Sequence, residues 1–343
     1  MNSPIALRHV SFLCALWFST CASAGDLHLY NWPHFMAPQV IEQYQQFSNQ
    51  HVQQSYFTEE EFRDRVISSG RARGHDLVMV ADASIHILAE QGFLQELTEL
   101  RAELAPMLHP HTMAACGDYG LPYAWGTIGI LYRGNRNSIS QWQQLFTPPP
   151  QHQGSIVMYA DPIDAVSLAL LALNYPPYSS DVSQLKQAHL LLQQQQRFVQ
   201  DYGVGLSYAV EYGANSGMTM AVGYSGEAHM LRKTLQQPDW QYVVPEQGTT
   251  LWTECLAIPR GAKHAANARQ FLRFIHQPKV AADNAETMWF ATPNQAALPL
   301  ASHAYRTDPE LFPPQHVLAK SHHFRLLPAD VLRLRNRIVY SLR

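Results

Sequence analysis

Apolar residues fall into short runs that alternate with stripes at helical spacing along most of the chain. The pattern predicts a strand from Leu27 to Trp32, then a helix opened by Pro38 with Val40, Ile41, Tyr44 and Phe47 on one face. A second strand is predicted from Val52 to Phe57. Thr58 is placed to cap a helix beginning Glu59-Glu60-Glu61, with Phe62, Val66 and Ile67 as its buried face. Asp76 to Val80 reads as a continuous apolar strand of the doubly covered kind, and Ile85 to Glu90 as a short helix stopped at Gly92. Further strands are predicted at Tyr123–Arg133, Ser155–Tyr159, Met218–Tyr224 and Leu251–Ile258. Helices are predicted at Ala165–Leu173, Leu185–Gln200, Gly226–Leu235, Ala265–His276 and Pro278–Trp289, with a loop at Pro148-Pro149-Pro150. In the Gln-rich helix, Leu190, Leu191, Phe198 and Val199 supply the apolar face. Strands alternating with helices argue a parallel α/β sheet architecture.

A length of 343 residues is enough for more than one core, and no Gly/Ser/Pro linker divides the chain. Two lobes without a linker imply that the chain crosses between them more than once. Ligands in such folds sit beyond the C-terminal ends of strands and in clefts between domains. The post-strand positions therefore carry the chemistry. They hold Asn31 and Trp32, then Asp82 and Ser84, then Asp161 and Asp164, then Tyr224 and Glu227, with Trp252 and Glu254 on the Leu251–Ile258 strand. Carboxylates and aromatics recur there, and no Lys or Arg interrupts them. Carboxylates accept charge-assisted hydrogen bonds from ammonium groups, and aromatic faces attract cations while covering methylene chains. An organic cation with an aliphatic body fits this lining, and a polyamine is the plainest example. Each residue also has a structural reading: Asp161-Pro162 looks like a helix cap, and the aromatics could be core. Recurrence at one level of several strand–helix units favours the site.

Charge and composition narrow the alternatives. A net charge of −3 offers no basic surplus for nucleic acid. The N-terminal stretch reads as a signal peptide over residues 1–24, with an apolar run from Val10 to Phe18 and an Ala22-Ser23-Ala24 cleavage site. The alternatives are an uncleaved anchor or lipidation at Cys21. Export to the periplasm would leave Cys116 and Cys255 in an oxidising compartment, either as a disulfide or as two buried thiols. The His residues are scattered, so no zinc site and no cofactor are expected.

The chain resembles the bacterial periplasmic spermidine- and putrescine-binding proteins. The stretches that carry the resemblance include Leu29-Tyr30-Asn31-Trp32, Asp76-Leu77-Val78, Leu121-Pro122-Tyr123-Ala124-Trp125-Gly126, Val222-Gly223-Tyr224-Ser225-Gly226-Glu227, Trp252-Thr253-Glu254-Cys255 and Ala291-Thr292-Pro293-Asn294. Together they cover nearly the whole chain beyond residue 24. The resemblance implies an α/β, type II periplasmic-binding fold of the two-lobed flytrap kind with discontinuous lobes, residues 25–132 and 254–299 in one and 133–253 and 300–343 in the other. It implies that Trp32 and Trp252 flank a polyamine, that Tyr224 stands where the family usually has Trp, and that Asp161, Asp164, Glu227 and Glu254 bind amino groups. Phe290 falls where some members have Tyr, Ser84 lies in the ligand loop, and Asp82 is an extra acid there. The implied partners are a polyamine and a membrane protein, either the permease of an ABC (ATP-driven) importer or a receptor with a cyclic-di-nucleotide output domain. The protein is expected to act as a monomer. Two rivals stand beside this reading: an enzyme on the same fold using Cys116 or Cys255 as nucleophile, and a binder of iron or another small cation.

Overall fold

A computed structural model describes residues 26–70 and 74–343. The signal peptide expected over residues 1–24 lies outside the described residues.

Ten strands form one continuous sheet: β1 (Leu27–Asn31), β2 (Val52–Tyr56), β3 (Leu77–Ala81), β4 (Gly120–Arg133), β5 (Ile156–Met158), β6 (Val199–Tyr202), β7 (Met220–Tyr224), β8 (Trp240–Val243), β9 (Thr250–Ala257) and β10 (His322–His323). Their order is β2-β1-β3-β9-β4-β7-β5-β6, with β10 beside β9 and β8 beside β4. The sheet is mixed, which corrects the expectation of parallel strands alone. β1, β2 and β3 pair in parallel, as do β5, β6 and β7, but β9 runs antiparallel to β3 and β4, and β4 antiparallel to β7 and β8. The reason is the double crossing. β4 pairs with β9 from Gly120 to Thr127, then leaves it and pairs with β7 and β8 from Ile128 to Arg133. The chain goes out along β4 and returns along β9, so the two crossing strands must oppose each other.

Buried side chains divide in the same way. One cluster runs from Leu27 to Ala124 and resumes from Cys255 to Leu311; the others take Ile128 to Val244 and close with Val317 and Leu327 to Leu342. Trp252 packs against both of the larger clusters. Gly126 makes that placement possible: a Cβ there would collide with the Trp252 ring and the Ser225 hydroxyl. This is a type II periplasmic-binding fold with two lobes joined by crossing strands.

Several elements differ from their sequence expectation. The helix Glu60–Ser68 has Glu59 as its N-cap and no side-chain cap, so Thr58 does not close it. Its buried residues are Arg63 and Ile67, and Phe62 is 52% exposed. Phe47 is exposed at the end of the helix Pro38–Ser48, although its ring stacks on Phe274. The Gln-rich helix ends at Gln195, and Val199 starts β6, because the strand finds its partner in β5; Leu190 is exposed. Trp289 is not helical: it takes a left-handed conformation just past the helix Pro278–Met288. Helices at Thr98–Leu104, Pro110–Ala115, Gly205–Tyr212 and Ala329–Tyr340 have no counterpart in the sequence reading.

Candidate functional site

The post-strand side chains do converge. Asn31 ends β1 fully buried, and its side-chain oxygen accepts the Trp32 backbone N–H at 2.8 Å. The Trp32 indole N–H donates to Oε1 of Glu254 at 3.0 Å. Ala81, which ends β3, lies opposite Glu254 in the antiparallel β3–β9 register, so Asp82 emerges close beside it at the start of the helix Asp82–Glu90. Trp252 and Glu254 occupy alternate positions of β9, and the rings of Tyr224 and Trp252 meet edge to face at 5.9 Å. Tyr159 packs edge to face on Tyr224 at 5.4 Å.

From the other side, Asp161 caps the helix Pro162–Ala172 by accepting the N–H groups of Ile163 and Asp164 at 2.8 and 2.9 Å. The capping interpretation of Asp161 is thus realised, through a single carboxylate oxygen. Glu227 is tied to its own turn, accepting the Tyr224 N–H at 3.0 Å. That turn needs Gly226, which sits at φ 91° with the Trp289 carbonyl where a Cβ would go. Phe290 is buried in the first core, against Phe35 and Tyr123 at ring separations of 5.3 and 5.1 Å.

The post-strand positions themselves carry no Lys or Arg, but the helix Glu60–Ser68 adds a buried cation beside the acids. Arg63 is fully buried, donating from Nε to Asp64 at 2.9 Å and from Nη2 to Ser84 at 3.1 Å and Glu60 at 3.3 Å. Ser84 in turn donates to Asp64 at 2.6 Å. Arg63 and Ile67 are the buried positions of this helix, with the partly exposed Glu60 and Asp64 one turn or less from Arg63, so its inner face carries a charge beside an apolar residue. A second buried guanidinium, Arg335 of the helix Ala329–Tyr340, donates to the Ile163 carbonyl, the Ser167 hydroxyl and the carbonyls of Pro177 and Ser179. Sequence reasoning missed Glu60, Arg63, Asp64 and Arg335. The helical spacing of Val331, Ile338 and Val339 was the available signal for the last of them.

Burial and mutual repulsion dominate the electrostatics. Glu254 is 8% exposed, its Oε2 has no hydrogen-bond partner, and its pKa is pushed up to about 8, by burial first and then by Glu60, against the Arg63 charge and the Trp32 hydrogen bond. Asp82 is 6% exposed, its Oδ2 is also unpartnered, and burial together with Glu60 pushes it up to about 8. Asp164 is raised by burial and then by the charges of Asp161, Glu60 and Asp82, while Arg335 opposes the rise. Glu227 is pushed up to about 7 by burial. A buried, unpaired carboxylate is unfavourable unless a cation meets it. This cleft is therefore built to receive positive charge that has hydrogen-bond donors. Among the described residues no group of three or more His, Cys, Asp or Glu could hold a metal ion.

A pH dependence follows. The folded pKa values of Asp82 and Glu254 lie above their ordinary values of 3.8 and 4.5. Their contribution to stability is full below pH ~4 and is lost as pH rises through about 8, because the folded state holds the protons longer. Without ligand, the melting temperature of the wild type should fall relative to Asp82→Asn/Glu254→Gln between pH 5 and 8.5. Parallel curves for the two proteins would show that these carboxyls titrate normally.

The fold and this acidic, aromatic cleft between lobes define a two-lobed solute-binding protein. Residues 39–313 match the family described as bacterial extracellular solute-binding protein. The chain is 30% identical over 325 residues to the norspermidine sensor of Vibrio cholerae, covering 94% of this chain and 89% of that protein. It is 26% identical over 340 residues to the putrescine-binding periplasmic protein SpuD of Pseudomonas aeruginosa, covering 92% of each. Among solved structures, a putative spermidine/putrescine ABC transporter protein from Listeria monocytogenes superposes with a TM-score of 0.80 at 25% identity, covering 93% of this chain and 99% of that one. The chain belongs to the bacterial extracellular solute-binding proteins, in the same family as these polyamine proteins. It is a family of binding proteins and not of enzymes. Cys116 and Cys255 are joined in a disulfide, so the alternative of a cysteine nucleophile is set aside. Among the described residues no helix is long and apolar enough to cross a membrane.

Proposed function

We propose that this protein captures a polyamine in the cleft and presents the closed, loaded form to a membrane partner. The observation that carries the reading is the pair of buried, unpartnered carboxylate oxygens on Asp82 and Glu254, set beside the indoles of Trp32 and Trp252. Ammonium groups would meet the carboxylates, including Asp161 and Asp164 across the cleft, and the rings of Trp252 and Tyr224 would cover the methylene chain. Residues 25–132 and 254–299 would move as one lobe, carrying the Ala301–Leu311 stretch packed on its core, against 133–253 and the remainder of 300–343. Ligand favours closure by its greater affinity for the closed state. Residues 1–24 would be removed on export to the periplasm, and the mature protein would work as a monomer.

Of the two membrane partners, a receptor with a cyclic-di-nucleotide output is preferred to an ABC permease. The support is the higher identity to a protein named as a sensor than to those named as binding proteins, 30% against 26% for the putrescine-binding SpuD. Deleting the gene in its source bacterium should change cyclic-di-nucleotide levels in response to polyamine and leave polyamine uptake intact. Lost uptake with unchanged signalling would assign it to a transporter.

Ligand class is tested by thermal shift. The melting temperature should rise with spermidine, norspermidine or putrescine, and not with maltose, glutamate or phosphate. Stabilisation by the anions alone would reject the reading. Binding should also release protons at pH 7, because carboxyls with a pKa of about 8 must ionise to pair with ammonium. Titrations in buffers of different ionisation heat should report that release.

A further inference from the structure

Arg63 is the feature of the cleft that the binding of a polyamine does not require. Its guanidinium is held through Nε and Nη2 by fixed partners, Asp64 on Nε and Ser84 and Glu60 on Nη2, with the Phe57 ring at 5.2 Å from Cζ. The same Phe57 ring packs on Trp32 at 4.4 Å, and Trp32 is bonded to Glu254. The guanidinium therefore stands one ring away from the indole that holds the central acid. Its remaining Nη1 is buried without a partner. A purely structural ion pair has no need of this position, since Glu60 and Asp64 are themselves 45% and 31% exposed and could be solvated.

Resting on the polyamine reading above, we propose that Arg63 is a specificity-determining residue: a tethered cation that occupies one end of the acidic cleft and so limits the number of ammonium groups a ligand can bring. It would neutralise Glu60 and Asp64, leaving Glu254 with Asp82 at one point and Asp161 with Asp164 at another for the ligand. A further ammonium on a longer ligand would meet a fixed guanidinium instead of a carboxylate. In most acidic sites an added charge tightens binding; here it should not.

The test is a calorimetric panel of putrescine, norspermidine, spermidine and spermine with wild type, Arg63→Met and Arg63→Lys. Wild type should bind the tetraamine spermine no more tightly than the triamines. Arg63→Met removes the cation at similar length and should raise spermine affinity relative to the triamines by about tenfold or more, as expected for exchanging a near repulsive charge for a free carboxylate. Arg63→Lys keeps the charge and should keep the wild-type order. A structural role would lower the melting temperature, or weaken every amine equally, without moving that ratio; either result would overturn the proposal. If Arg63→Met does not fold, the wild-type order decides, since spermine binding more tightly than the triamines would also overturn it. Failure of wild type to bind any amine would instead reject the polyamine reading itself.

Discussion

Glu254→Ala should weaken polyamine binding by roughly two to three and a half orders of magnitude. Glu254 is held on β9 by pairing with β3 on one side and β4 on the other, so its carboxylate has little freedom to relax. One oxygen accepts the Trp32 indole N–H at 3.0 Å and the other is left for a ligand. Removing one partner of a buried ion pair costs about 3–5 kcal/mol, because the other charge stays buried and uncompensated. At ~1.4 kcal/mol per tenfold, that gives the stated loss. Glu254→Gln should lose nearly as much affinity while keeping the hydrogen bond from Trp32. The two variants should not lose ligand-free stability at pH 8 through charge, since a carboxyl raised to about 8 destabilises the empty cleft when it ionises. Titration calorimetry beside a thermal melt separates the outcomes. Full affinity in Glu254→Gln would remove this residue from the site, and lost stability with full affinity would make it structural.

The second large effect is on stability. Cys116 and Cys255 are bridged with their Cα atoms 5.7 Å apart and 139 residues apart in sequence. Cys255 lies beside Glu254 on β9, on the strand face opposite the acid, and Cys116 follows the helix Pro110–Ala115 just before β4. The bridge therefore ties the end of the helix that leads into β4 to the crossing strand β9, behind the ligand face. Closing so long a loop restricts the unfolded chain strongly, and losing a native disulfide costs about 2–5 kcal/mol. Cys116→Ala/Cys255→Ala should lower the melting temperature by roughly 4–20 °C, given ~2–4 °C per kcal/mol for large domains. Polyamine affinity of the folded fraction should change little. Two freely alkylated thiols in wild-type protein from an oxidising compartment, or an unchanged melting temperature, would contradict this.

Residues that act through local pattern were legible in the sequence. Leu77, Val78, Met79 and Val80 are buried on both faces of β3 and read as a continuous apolar run. Trp32, Asp82, Tyr224, Trp252 and Glu254 sit at strand ends or on the crossing strand, so their convergence follows from the architecture. Strand direction was not legible, because β9 finds β3 and β4 across long stretches of chain and no local signal marks an antiparallel return. Arg63 was not legible for a different reason. Hydrophobic periodicity assigns the apolar stripe of a helix to the interior, and for Glu60–Ser68 that rule chose Phe62 over Arg63. This helix turns Arg63 inward, where Asp64 and Glu60 of the same helix and Ser84 from another element take its Nε and Nη2 donors, and no local pattern marks that arrangement. Arg335 is the same case, its Nη1 and Nη2 donating to backbone carbonyls more than 150 residues away in sequence.

The central claim is that this cleft binds a polyamine through its buried carboxylates. The most direct measurement is a calorimetric titration of the mature chain with spermidine and norspermidine at pH 8, in parallel with Glu254→Gln. The account predicts saturable binding of one amine per chain in the wild type and at least a hundredfold loss in the variant. No binding of either amine, or equal binding by both proteins, would contradict it.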